Sequence, residues 1–184
     1  MKQGNIVLYI LRLALTLLII TSAVAAALAG VNHITAPLIA QAKEAKTQEA
    51  ITAVLEGGGS PIDFTGADKT GLVTAVYQGE KGYAVQVCPA GFGGGIDMMV
   101  GVDLEGNVVK ITIISHAETP SLGAVAAADS SAGETFRDSF IGLSGTVTVS
   151  KEGGEADTIS GATITSKAVA EGVTAALECV KNLG

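Results

Sequence analysis

Near its C-terminus the chain reads Asp157-Thr158-Ile159-Ser160-Gly161-Ala162-Thr163-Ile164-Thr165-Ser166, a run of small hydroxyl residues that leads directly into an apolar-striped segment. The apolar residues of that segment recur at intervals of three and four, at Val169, Val173, Ala176, Leu177 and Val180. Such spacing places them on one face of an α-helix, which we expect to end near residues 182–184. The hydroxyl run therefore lies at the N-terminus of a helix.

This helix N-terminus has the composition of an anion site. Unpaired backbone N–H groups and the positive end of the helix dipole favour a phosphate there. Gly161 and Ala162 allow the backbone to approach a ligand closely. A structural alternative accounts for the same residues, because Ser and Thr are ordinary helix N-caps. The run by itself leaves both interpretations open.

Three separate stretches resemble the covalent FMN-binding domain family. The first is the hydroxyl run, which is similar to the flavinylation signature Asp-x-x-Ser/Thr-Gly-Ala-Thr. The second is His116–Gly123, which is similar to the family loop His-x-Glu-Thr-Pro-Gly-Leu-Gly but has Ser121 in place of a glycine. The third is Gly91–Ile96, followed by Met98–Asp103, which is similar to the family's glycine-rich bend into a strand. If the second loop requires a positive φ at Ser121, we expect strain there.

In their order along the chain, these stretches resemble the G subunit of the Rnf complex, a membrane-bound ferredoxin:NAD oxidoreductase that couples electron transfer to ion transport. The resemblance implies a flavoprotein that relays electrons between ferredoxin and NAD while the complex transports Na⁺ or H⁺. The chain alone would be an electron carrier and one subunit of that oxidoreductase. Its implied partners are the Rnf subunits A, D and E, the peripheral subunits B and C, and a flavin transferase for maturation.

The resemblance also implies the cofactor site. FMN would be joined through its phosphate to the Thr163 hydroxyl, in an ester that the flavin transferase makes. Leu122 would pack on the flavin ring, and Thr119 would hydrogen-bond to it. Asp157 would serve recognition by the transferase, with a structural Asx turn as the alternative. The implied cofactor-binding residues are Thr163, Ser160, Gly161, Ala162, Thr165, Glu118, Thr119, Leu122 and Gly123. We find no nucleophile–base pair in the sequence, so we expect no catalytic residue.

Three alternative functions stay open. The C subunit of the sodium-pumping NADH:quinone reductase is the nearest relative of the Rnf subunit, although it typically carries longer insertions. A non-redox membrane assembly subunit would also be anchored, but it would need no flavinylation signature. A flavin-binding sensor or maturation factor would bind FMN without membrane partners.

Composition narrows the choice of cofactor. The 184 residues are 48% hydrophobic but only 4% aromatic, and Trp is absent. Cys88 and Cys179 are the only cysteines, too few for the four thiolates of an iron–sulfur cluster, so flavin is the expected electron carrier. We expect both thiols to be buried small hydrophobes rather than a disulfide. His116 and His33 have no companion ligands in the sequence, so we predict no metal site.

The N-terminal segment is the predicted membrane anchor. Leu13–Val31 is almost wholly apolar and long enough to span a bilayer. Lys2 and Arg12 precede it, which predicts a cytoplasmic N-terminus and an extracytoplasmic C-terminal domain on a single-pass chain of the inner cell membrane. A cleaved signal peptide is the alternative, because residues 25–29 offer small-residue cleavage positions. Residues 32–184 contain nine basic and all 18 acidic residues, which does not fit a nucleic-acid partner.

The pattern of elements predicts an α+β fold. We expect a cytoplasmic N-terminus and transmembrane helix at 1–31, a helical stalk at 32–60 in which Pro37 allows a break, and an FMN-binding domain at 61–184. Predicted strands are 71–77, 83–88, 96–103, 108–115 and a last one at 147–150. The short turns between the first four imply a twisted antiparallel sheet, with helices packed beside it. Phe136 and Phe140 are expected in its core.

Overall fold

The computed structural model describes residues 3–55 and 57–183, which divide into two compact units, one up to Glu44 and one from Ala45 onward. The described residues of the first unit are helical and belong to α1, which comprises Gln3–Val54. The second unit holds the end of α1, a five-stranded sheet, and the helices α2 (Ser131–Asp138) and α3 (Thr163–Leu183). The α+β architecture predicted from the sequence is confirmed.

Helix α1 has the properties of a membrane-spanning segment. It is long and apolar enough to cross a bilayer, and its large apolar side chains between Leu8 and Ile39 are exposed. Thr16 and Thr21 satisfy their hydroxyl groups within the helix, each donating to the carbonyl four residues earlier. The helix continues through Pro37 without the break that the sequence allows. Its length and composition support anchoring in a membrane.

The sheet is an antiparallel meander. Its strands are β1 Ser60–Ile62, β2 Val73–Gln78, β3 Gly82–Val87, β4 Asp97–Asp103 and β5 Val108–Ser115. They lie in the order β1-β2-β3-β4-β5, and every neighbouring pair is antiparallel. The first four predicted strands thus correspond to β2–β5, with ends that differ by a residue or two.

Sequence analysis missed one strand, and one predicted strand does not form. Ser60–Ile62, at the predicted boundary between the stalk and the domain, forms edge strand β1, in which Pro61 pairs with Tyr77. Proline is tolerated there because the outer side of an edge strand needs no ladder hydrogen bond. The strand predicted at 147–150 does not form. Val149 instead makes a single parallel bridge to Ala156, and a 3₁₀ turn begins at the next residue, as Ser150–Glu152.

Strand β4, which lies between β3 and β5, is buried on both faces. Its side chains alternate between a main core, which contains the apolar stripe of α3, and a smaller core, which contains the last residues of α1. In the smaller core Met99 packs with Val54. Gly101 permits this approach, since a Cβ there would lie 2.9 Å from the Cβ of Val54. Burial on two sides explains why β4 is a continuous apolar run.

The predicted aromatic pair is confirmed as part of the core, whereas one cysteine prediction is wrong. Phe136 and Phe140 are buried and meet edge to face, with ring centroids 5.3 Å apart and an interplanar angle of 82°. Cys88 and Cys179 are both free thiols, but only Cys179 is buried. Cys88 is exposed because it lies just beyond the end of β3, where the chain leaves the sheet.

Candidate functional site

The hydroxyl run ends at the first residue of α3. The helix begins at Thr163, and the preceding Ala162 has no hydroxyl with which to cap the first turn. A helix leaves its first N–H groups without intrahelical partners. Among the described residues, the N–H groups of 163–165 have no side-chain or backbone acceptor outside the helix. No Ser or Thr side chain therefore caps the start of α3 among the described residues, and the structural alternative is not supported.

Gly161 and Ser166 shape the turn into α3. Gly161 has a φ of 77°, in the left-handed region that favours glycine. The buried Ser166 hydroxyl accepts a hydrogen bond from the N–H of Ile159 at 3.0 Å and donates to the carbonyl of Ala162 at 3.0 Å. These contacts bend the hydroxyl run sharply at the start of the helix.

A cavity of about 350 Å³ lies beside Thr163. Its lining residues are Phe92, Glu118, Thr119, Leu122, Gly123, Gly161, Ala162, Thr163, Ile164 and Thr165. The fold thus brings the glycine-rich stretch, the loop at 116–123 and the start of α3 to one place. Every predicted cofactor-binding residue except Ser160 lines this cavity, and its volume is in the usual range for small-molecule sites.

Glu118 joins the three segments that surround the cavity. Its side chain is only 7% exposed. Oε1 accepts a hydrogen bond from the N–H of Gly93 at 2.8 Å, and Oε2 accepts one from the hydroxyl of Thr165 at 2.5 Å. Both oxygens of this buried carboxylate are therefore satisfied, as buried polar groups require. The same two bonds link the glycine-rich stretch and α3 to the loop that carries Glu118.

Two glycines at this junction leave no room for a side chain. A Cβ at Gly91 would lie 2.4 Å from Oε1 of Glu118, and a Cβ at Gly123 would lie 2.3 Å from Oε2. The glycine-rich stretch is recognisable in the sequence, but the requirement for glycine there comes from the tertiary structure. The backbone must approach the Glu118 carboxylate closely on both sides.

Ser121 adopts the left-handed conformation that its place in the loop suggested. Its φ is 63°, the only positive value at a non-glycine residue in the described chain. For a residue with a Cβ this conformation costs roughly 1–2 kcal/mol. The surrounding turn is held by the N–H groups of Leu122 and Ala124, which both donate to the carbonyl of Thr119 at 3.2 Å. The positive φ on which the expectation of strain at Ser121 depended is therefore present.

Ser160 and Asp157 lie at a second cavity of about 440 Å³, whose lining also includes Ser121 and Phe136. The backbone N–H of Asp157 donates to Oγ of Ser139 at 3.0 Å. Its carboxylate makes no hydrogen bond to another described residue, so no Asx turn forms there. The role of Ser160 toward a cofactor stays a prediction.

Sequence reasoning missed two residues that line the first cavity. Phe92 is 69% exposed and Ile164 is 55% exposed, although both are apolar. Leu122, at 43% exposure, adds a third apolar side chain to this rim. Exposed apolar side chains gathered around a cavity are typical of a ligand site. Two features of the sequence could have identified them. Phe92 is a large apolar residue inside a glycine run, and Ile164 is an apolar residue of α3 that lies outside the buried stripe.

A lysine contacts the hydroxyl at the start of α3. Lys151, in the 3₁₀ turn, donates from Nζ to Oγ1 of Thr163 at 3.0 Å. The nearby Lys167 is instead paired with Glu152 at 2.6 Å. Positive charge at Thr163 suits an anionic group there, because charge-assisted hydrogen bonds are stronger than neutral ones.

Neither cysteine lines the cavity beside Thr163. Burial, and after it the negative charge of Asp68, raises the pKa of Cys179 to about 11. This thiol is therefore protonated and unreactive at neutral pH. Within the described residues no group of three or more His, Cys, Asp and Glu side chains is arranged to hold a metal ion.

Comparisons with known proteins concern the same part of the chain. The FMN-binding domain family matches residues 91–178. The G subunit of the proton-translocating ferredoxin:NAD(+) oxidoreductase complex of Clostridium ljungdahlii is 37% identical over 83% of this chain and 82% of its own length. The G subunit of the Na(+)-translocating complex of Acetobacterium woodii is 31% identical over 95% and 93%. The G subunit of the ion-translocating oxidoreductase complex of Methanosarcina acetivorans is 30% identical over 89% and 90%.

Proposed function

Because this chain belongs to the G-subunit family of ion-translocating ferredoxin:NAD(+) oxidoreductase complexes and has an FMN-binding domain, we propose that it carries FMN as a phosphoester on Thr163. In this proposal it is a membrane-anchored electron carrier between ferredoxin and NAD. The complex couples that transfer to transport of Na⁺ or H⁺. The other subunits of the complex, and a flavin transferase, are its proposed partners.

The observation that supports the attachment site is the position of Thr163. Its hydroxyl belongs to the first residue of α3 and lines a cavity of about 350 Å³. The N–H groups of 163–165 have no acceptor outside the helix among the described residues. A phosphodiester carries one negative charge, which these N–H groups and the helix dipole favour.

The remaining cavity residues suit a flavin ring. Phe92, Leu122 and Ile164 offer exposed apolar surface, which a planar aromatic ring would cover. Thr119 offers a polar group at the same cavity. When bound, FMN supplies the redox chemistry, and protein contacts tune its potential. The contribution of Glu118 is to hold the glycine-rich stretch and α3 in place around the ring.

The alternatives from the sequence are less well supported. The relatives described above are named as G subunits, which favours this family over the C subunit of the sodium-pumping reductase. A non-redox assembly subunit would have no use for the residues gathered beside Thr163. A sensor that works without membrane partners does not fit a family of complex subunits.

Intact-mass analysis of the full chain, produced with an active flavin transferase, tests the attachment. We expect the added mass of FMN less one water, and peptide mapping should place it on the fragment that contains Thr163. Thr163→Val removes the hydroxyl and should abolish the added mass. Thr163→Ser keeps the hydroxyl and should retain it. An unmodified wild-type chain, or a flavin on Thr165, would contradict the proposal.

A further inference from the structure

Lys151 reaches the Thr163 hydroxyl from a separate segment whose backbone is held firmly. The N–H of Ser150 donates to the carbonyl of Ala156 at 2.7 Å, and the N–H of Lys151 lies 3.4 Å from the hydroxyl oxygen of Thr158. The hydroxyls of Ser150 and Thr158 are 3.0 Å apart. These contacts join the 3₁₀ turn to the beginning of the hydroxyl run, so the lysine is anchored beside its partner, Thr163.

The charges near Thr163 leave Lys151 available for an anion. Lys167, on the first turns of α3, is already paired with Glu152. Among the described residues, Lys151 has no carboxylate partner, and its ammonium group contacts a neutral hydroxyl instead. Positive charge is scarce in this part of the chain, because acidic residues beyond residue 31 outnumber basic ones, Lys151 included, by 18 to nine.

We propose that Lys151 is the counter-ion of the flavin phosphate once Thr163 is esterified. This inference rests on the proposed attachment of FMN at Thr163. Because Nζ of Lys151 already lies 3.0 Å from Oγ1 of Thr163, its flexible side chain would be able to hold the phosphate esterified there. The ammonium group would then donate to an anion instead of a neutral hydroxyl, so the contact would become an ion pair.

The proposed role concerns binding and not proton transfer. A protonated lysine has three donors and no lone pair, so it holds the phosphate without acting as a base. Together with the N–H groups at the start of α3, it would contact the phosphate from a second segment of the chain. Flavin attachment should therefore stabilise the fold, through a contact that depends on positive charge at residue 151.

The test compares unmodified and flavinylated full-length chain in detergent, made without and with the flavin transferase. In the wild type we expect flavinylation to raise the Tm, with a smaller gain at high salt because the ion pair is exposed to solvent. Lys151→Gln should reduce this gain by at least half and remove its salt dependence. Lys151→Arg should preserve both. Lys167→Gln is the matched control, because it removes a nearby charge that is already paired, and it should leave the gain unchanged.

Intact mass of each sample separates this inference from the attachment itself. A wild-type chain without flavin on Thr163 would overturn both. A fully flavinylated Lys151→Gln variant with the wild-type gain, or an equal loss in Lys167→Gln, would overturn only the role of Lys151. Poor flavinylation of the Gln variant alone would support the role, since Arg restores the charge. Poor flavinylation of both variants would overturn it, because charge would then not be the property that matters.

Discussion

Within the loop at 116–123, Glu118 stabilises the candidate site, whereas the backbone conformation of Ser121 destabilises it. The buried Glu118 carboxylate would be costly if it were unpaired, but hydrogen bonds from Gly93 and Thr165 satisfy both of its oxygens. Ser121 holds a φ of 63°, which a glycine would adopt without penalty. The loop keeps this strained residue because the contacts on either side determine its backbone path.

Replacing Ser121 by glycine should stabilise the protein. We expect Ser121→Gly to raise the unfolding free energy by about 0.5–1 kcal/mol, which is the relieved strain less the greater chain entropy of glycine in the unfolded state. Thermal unfolding of the unmodified chain measures this as a higher Tm. Ser121→Ala keeps a Cβ and should give no increase. A lower Tm for the glycine variant would show that the serine side chain contributes more than its backbone costs.

At the level of secondary structure, the turn between β4 and β5 matters for the candidate site, because β5 leads directly into the loop at 116–123. Oδ1 of Asp103 accepts hydrogen bonds from the N–H groups of Glu105 at 2.9 Å and Asn107 at 2.8 Å. Desolvation by itself would raise the pKa of Asp103, but hydrogen bonds from Asn107 and Glu105 outweigh it and lower the pKa from its ordinary value. The turn thereby sets the start of β5, which ends at Ser115, immediately before the loop at 116–123.

The Asp103 turn should make stability depend on pH under acidic conditions. Its folded-state pKa is lowered, so its contribution is present above the unfolded pKa and is lost as the pH falls through the folded value. We expect Asp103→Asn to reduce the unfolding free energy by about 1 kcal/mol at neutral pH and by much less at an acidic pH below the folded-state pKa of Asp103. Denaturant unfolding at both pH values measures the difference. Asp129→Asn, at an exposed position, is the control, and an equal loss at both pH values for Asp103→Asn would refute the explanation.

Across the whole chain, positive charge precedes the apolar segment and negative charge follows it. Lys2 and Arg12 are the only charged residues before residue 32, and all 18 acidic residues come after. The positive-inside rule then favours an N-terminus in the cytoplasm and an FMN-binding domain outside it. A covalent link to FMN would prevent loss of the cofactor in a compartment where free FMN is scarce. The domain boundaries at residues 31 and 60 remain predictions.

The orientation can be measured with a reporter fused after the last residue. We expect an enzyme that works only outside the cytoplasm to be active in this fusion, because positive charge at Lys2 and Arg12 favours a cytoplasmic N-terminus. The same reporter fused before the apolar segment should be inactive. Activity of a cytoplasmic reporter at the C-terminus would reverse the assignment. An intact mass that includes residues 1–31 would exclude a cleaved signal peptide.

The electron-carrier role predicts the effect of losing the flavin from an assembled complex. Thr163→Val removes the proposed attachment hydroxyl at the start of α3, so we expect the complex to assemble with its usual subunits. Electron transfer from ferredoxin to NAD should collapse, since a carrier is missing from the path. Thr163→Ser serves as the control and should keep most of the activity. Full activity of an assembled, flavin-free complex would make this chain a scaffold.

Periodic patterns and short motifs were sufficient to predict much of this protein. The apolar stripe of α3, the strands β2–β5, the apolar segment of α1 and the Phe136–Phe140 pair are all confirmed. Each depends on the spacing of residues that are near one another in the chain, and such spacing is written directly in the sequence. The resemblance of the hydroxyl run and the loop at 116–123 to FMN-binding domains is likewise local.

Only the tertiary structure decided which distant residues meet. Several contacts at the candidate site join segments that are separated in the sequence. They are the hydrogen bonds of Glu118 to Gly93 and Thr165, the contact of Lys151 with Thr163, and the apolar rim that includes Phe92. The pairing of Ser60–Ile62 at the sheet edge and the exposure of Cys88 also follow from where neighbouring elements end. Such contacts arise from the path of the whole chain through the packed core, and no local pattern encodes that path.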